Sequence, residues 1–150
     1  MKLAIAFATG VLAMSSPADA RPRPAIEHYG RPTLNGQPLP FSDAVRVGDT
    51  LYLSGQLGIG ADGKLPEDIE AQTKQALDNI GAILKRAGLG YGDVFHCTAM
   101  LSDMKLWPDF NKVYVTYFPE GKRPARSAFG ASGLALNALV ELECQAYAGK

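Results

Sequence analysis

The apolar positions along the chain change period several times, and each change predicts an element. In "TLYLSG" Leu51 and Leu53 alternate with Tyr52 and Ser54, the period of two of a strand. With "FSDAVRV" before it and a Gly48-Asp49 turn between, residues 41–58 read as two strands. From Pro66 to Lys85 the period becomes helical. Ile69, Thr73, Ala76, Leu77, Ile80, Ile83 and Leu84 form one stripe. Pro66 suits the first turn, Glu67 and Asp68 favour the dipole there, and Gly88 is a stop signal. "DVFHCTAMLSDM" returns to strand, with Phe95, Cys97, Ala99 and Leu101 on one face. "LWPDFNKVYVTYFP" predicts a second helix packed through Trp107, Phe110, Val113, Tyr114 and Tyr117. "ARSAFG" and "NALVELECQAYAG" are strands. In the last, Val140, Leu142, Cys144 and Ala146 face one way, opposite Leu139, Glu141, Glu143, Gln145 and Tyr147. The order is ββαβαββ, an α+β domain in which both helices cover one face of a single sheet.

The N-terminus changes the picture of where this domain works. Lys2, the apolar run Leu3–Met14 and Ala18-Asp19-Ala20 have the layout of a cleavable signal peptide. The run is too short for a span of roughly 20 residues. The expected mature protein begins at Arg21, in the periplasm or secreted, with residues 21–38 an extended lead-in and 39–150 a single domain. Arg21-Pro-Arg-Pro is expected to be a mobile arm. Fifteen basic and fifteen acidic residues balance, which argues against a polyanion binder. "GIGADG" matches a dinucleotide-loop pattern, but Asp62-Gly63 and Pro66 intervene before any helix opens, so it reads as a plain loop. With two cysteines, no CxxC and two lone histidines, His28 and His96, no structural zinc site is expected. Cys97 and Cys144 sit in apolar strand patterns and are expected as buried free thiols. A disulfide is the alternative that export leaves open.

Four stretches occur in an order and spacing that resembles one family. They are "YLSGQLG" (52–58), "EAQTKQALDNIGAILKRAGLGYGDV" (70–94), "RPARSAF" (123–129) and "VELECQAYA" (140–148). On them the chain is similar to the Rid family (RidA/YjgF, reactive intermediate deaminases, also labelled L-PSP endoribonucleases). The resemblance implies a chorismate-mutase-like fold and a homotrimer whose sheets form a central barrel, with sites in clefts between subunits. It also implies hydrolysis of enamines and imines of amino acids to 2-keto acids and ammonia, with no metal or organic cofactor. The implied partners are a small imine or carboxylate ligand and the other subunits; the charge balance speaks against nucleic acid, and no membrane partner is expected after signal cleavage.

The resemblance assigns roles residue by residue. Arg126 matches the arginine that holds the substrate carboxylate; a planar guanidinium can do so bidentately. Glu141, fifteen positions later, matches the glutamate of the final strand, suited to carrying protons between water and the departing nitrogen. Gly55 and Ser54 match a pair in which Gly55 lets backbone approach ligand and Ser54 orients water. Asn111 matches a cleft asparagine. For these three, turn geometry or capping is the competing reading. Lys122 and Arg123 read as solvated turn residues. Two cleft positions depart from the family. Phe41 stands where many members carry tyrosine, and Ala128 where many carry cysteine. "GASGLALNA" lacks the usual proline and charged turn. A non-catalytic carboxylate-binding or holdase-type protein is the alternative to a deaminase. A ribonuclease is opposed by the neutral charge and the lack of a histidine acid–base pair.

Overall fold

The computed structural model describes residues 23–30 and 37–149. The expected signal segment and Arg21 lie outside these residues. The elements in chain order are β1 (Ile26–Tyr29), β2 (Ala44–Val47), β3 (Thr50–Leu53), β4 (Gln56–Leu57), α1 (Ile69–Arg86), β5 (Val94–Leu101), α2 (Trp107–Tyr114), β6 (Ala125–Gly130) and β7 (Val140–Tyr147). One sheet runs β1-β2-β3-β7-β5-β6, with β4 continuing along β7. Among the described residues only β5 and β6 pair in parallel; their crossover carries α2. β1 falls within the stretch read as lead-in. It joins the sheet edge by pairing Ile26–Tyr29 with Val47–Ala44.

The helix begins later than the sequence predicts. Asp68 takes an extended backbone (φ −110°, ψ 161°), and its side chain accepts from the Ala71 amide at 2.8 Å. That cap starts α1 at Ile69 and leaves Pro66 outside. The end is as predicted. Gly88, at φ 75°, lets its own amide reach Lys85 O and the Leu89 amide reach Leu84 O, closing the last turn. The whole predicted stripe of α1 is buried. It packs on Leu51, Leu53, Cys97, Ala99, Leu101, Val140, Leu142, Cys144 and Ala146 of the sheet. Each large aliphatic side chain there contributes roughly 1.5–3 kcal/mol by leaving water.

Three sequence expectations are corrected. Phe95 is 46% exposed, because the β5–β7 register shifts between Val94 and His96 and Val94 takes the core position instead. Trp107 is 42% exposed. It opens α2, where side chains lean back toward the N-terminus, past the end of the core. The core line of this segment is Phe110, Tyr114 and, beyond the helix, Phe118. Cys97 and Cys144 are not free thiols but a disulfide, in register across β5 and β7 with their Cα atoms 4.1 Å apart. The alternation in each strand put both on the core face; the pairing depends on which strands are neighbours.

Asp43 is 1% exposed and meets the Arg86 guanidinium at 2.5 Å, tying the turn after Phe41 to the end of α1. Arg86→Ala is expected to cost about 2 kcal/mol, because a buried carboxylate loses a charged partner. The value is held below that of a sealed pair because Arg86 is 40% exposed. The urea midpoint measures it.

Candidate functional site

Two clusters of predicted residues form, one on each face of the sheet. The first is built by a slip in pairing. Between Tyr52↔Gln145 and Gln56↔Leu142, four steps along one strand match three along β7. The irregular residues are Leu53 to Gly55, and the slip brings the Gly55 backbone against Glu141. A methyl group at Gly55 would collide with Glu141 Oε1 and lie 3.0 Å from its Cδ. Gly55 is thus a close-approach glycine. Ser54 Oγ donates to Ser42 O at 2.7 Å, and its amide donates to Asp43 O at 2.9 Å. Its hydroxyl hydrogen is committed to the turn that carries Phe41. Beside Gly55, a cavity of about 100 Å³ is walled by Leu39, Phe41, Leu57, Ile59 and Asn79. Asn79 holds that loop by donating to Leu57 O and Ile59 O.

The Glu141 carboxylate has no hydrogen-bond partner among the described residues. Burial pushes its pKa up, and the negative charge of Glu143 pushes it further the same way. A half-buried carboxylate with unused lone pairs and a raised pKa is suited to taking a proton from water.

The second cluster lies on β6 and α2. Arg126 Cζ sits 4.5 Å from the centre of the Tyr114 ring and 5.2 Å from that of Phe110. Among the described residues no carboxylate pairs with it. Ala128 follows two positions on, facing the same way, and Asn111 is the neighbour of Phe110 on α2. The buried Asn111 Oδ1 has no partner among the described residues, nor has the Tyr114 hydroxyl. Burial pushes Tyr114 up to about 12, against the pull of Arg126. Lys122 and Arg123 are exposed, as expected of turn residues. Sequence reasoning took Phe110 and Tyr114 only as packing. Their four-residue spacing beside an arginine strand was the available signal.

The two clusters do not meet within one chain. Arg126 pairs with Cys97, and Cys97 with Cys144, so Arg126 lies on the helix-covered face. Glu141 pairs with Met100, and Met100 with Phe129, on the open face. A larger groove of about 460 Å³ runs between α1 and α2, past Lys74, Lys112 and Tyr117. It holds none of the predicted site residues, and its lysines are engaged with Asp78, Asp109 and Glu70.

A single sheet with two helices on one face and this strand order is the chorismate-mutase-like α+β arrangement. The chain belongs to the family described as Endoribonuclease L-PSP, whose model matches residues 36–148. It is 42% identical over 107 residues to Reactive Intermediate Deaminase A, chloroplastic, of Arabidopsis thaliana, covering 70% of this chain and 57% of that one. It is 41% identical over 112 residues to the 2-iminobutanoate/2-iminopropanoate deaminase of Mus musculus, covering 73% and 82%. A solved structure from Yersinia pestis, titled as a protein of unknown function of the conserved Rid protein family, superposes with a TM-score of 0.75. Its identity is 36%, and the match covers 82% of this chain and 99% of that one.

Proposed function

We propose that the protein is an imine deaminase, hydrolysing enamine and imine intermediates of amino acids to 2-keto acids and ammonia, as the names of its relatives suggest. The observation that carries the reading is the Arg126 guanidinium, unpaired among the described residues, with a Glu141 carboxyl of raised pKa, also without a partner among them, against Gly55 on the other face. Because the two lie on opposite faces, a complete site takes Arg126 from one subunit and Glu141 from the next. A closed homotrimer supplies that arrangement. Tyr52, Phe129 and Tyr147, about half exposed on the open face, support its burial in an assembly.

In this mechanism Arg126 grips the substrate carboxylate through two charge-assisted hydrogen bonds. Glu141 takes a proton from water as the oxygen adds to the C=N carbon. It then returns the proton to nitrogen, and the carbinolamine collapses to keto acid and ammonia. Phe41 and the apolar cavity beside Gly55 face the substrate side chain. The Cys97–Cys144 disulfide supports the export reading, since such bonds persist in oxidising compartments.

The test generates 2-imino acids in place with an amino-acid oxidase and traps them with semicarbazide. The purified protein is expected to divert imine to keto acid before trapping. No acceleration with small, branched and aromatic imines would leave only carboxylate binding and contradict the proposal.

The pH profile gives a second check. The base must be ionised, so kcat/KM is expected to fall as pH drops through the raised Glu141 pKa. Glu143→Gln removes the repulsion and should move that limb to lower pH. For folding the sign is opposite. A carboxyl with a raised folded pKa loses stability as pH rises from its unfolded to its folded value. Glu141→Gln is therefore expected to raise Tm at neutral pH while abolishing turnover.

A further inference from the structure

We propose that Tyr114 and Phe110 are positioning residues that hold the Arg126 guanidinium for its ligand. The inference rests on the carboxylate role of Arg126 stated above. The Arg126 guanidinium carbon lies within 5.2 Å of both ring centres, inside the range of cation–π attraction. Both rings are fixed: Phe110 is 0% and Tyr114 3% exposed, and they pack against each other at 5.3 Å. Phe118 backs Tyr114 at 4.7 Å. A cation over a ring face is covered on that side, while the N–H donors at the rim of the guanidinium plane remain available.

An arginine normally keeps several rotatable bonds and loses entropy when a ligand orders it. Among the described residues no acidic side chain orders this one. The rings do so without neutralising its charge, which a carboxylate partner would. They hold a cation ready for an anion and leave it uncompensated. The Tyr114 hydroxyl has no partner among the described residues, and the contact with the guanidinium is made by the ring.

The experiment uses the full chain with Tyr114→Phe, Tyr114→Leu, Phe110→Leu and Arg126→Ala. The readouts are KM and kcat on imines, the Kd of 2-oxobutanoate by calorimetry, and the Arg126 Nε–H resonance by NMR. Tyr114→Phe, which keeps the ring, should recover most of what Tyr114→Leu loses in all three. Tyr114→Leu and Phe110→Leu should each raise Kd and KM about 3- to 10-fold, leave kcat within twofold, and move the Nε–H resonance. In the parent that resonance should be displaced by the ring currents. An Nε–H signal at the free-arginine position in the parent overturns the inference even if the leucine variants fail to fold. So does parental Kd in either leucine variant when Arg126→Ala abolishes binding. Unchanged binding in Arg126→Ala would instead strike the carboxylate role itself.

Discussion

Arg126→Ala is expected to lower kcat/KM for 2-imino acids by at least about 100-fold. Each hydrogen bond to a charged group contributes roughly 1.5–3 kcal/mol, and a bidentate pair has two, while 1.4 kcal/mol is a factor of ten. Arg126→Lys should recover little. An ammonium cannot make the two parallel bonds, and it gives up the guanidinium's contact over the Tyr114 ring at 4.5 Å. The loss should extend to binding of the keto-acid product, measured by calorimetry, because the carboxylate is present throughout the reaction. A variant that kept product affinity but lost turnover would give Arg126 a role in the chemical step alone.

Replacing both cysteines by alanine is expected to cost about 4 kcal/mol of folding stability. The bond closes a loop with a sequence separation of 47, and the chain-entropy model gives that magnitude for such a loop. Both residues are almost wholly buried between central strands, so the lost sulfur contacts add to the effect. Reductant should destabilise the parent in urea by a similar amount and leave the double variant unchanged. A difference under about 1 kcal/mol would mean that the core holds β5 to β7 without the bond.

Local signals were readable in the sequence and non-local ones were not. The α1 stripe, the Gly88 stop and the alternation of β7 depend on neighbours within a few residues, and all three hold in the fold. Pro66 suits a first turn as well as Asp68 suits a cap, and the local pattern does not choose between them. Phe95 leaves the face that alternation predicts because a register shift resets the alternation without marking the sequence. The lead-in became β1 because a distant strand, β2, offers it an edge. The cysteine pairing needed the neighbour relation of β5 and β7, which strand patterns do not contain. The site residues were named through a family resemblance, yet their separation onto two faces follows only from the Cys97↔Arg126 and Met100↔Glu141 registers. The same registers bring Gly55 to Glu141 and leave Arg126 to the aromatic pair.

The central claim is that one site draws Arg126 and Glu141 from different chains. The measurement is imine turnover by Arg126→Ala and Glu141→Gln chains, each assayed alone and after co-expression in equal amounts. Alone, each should be inactive. Together, random assembly into closed trimers should restore roughly a quarter of the parental sites, because each mixed trimer has one junction with both groups intact. A co-expressed sample that stays at the level of the separate variants would contradict the shared site.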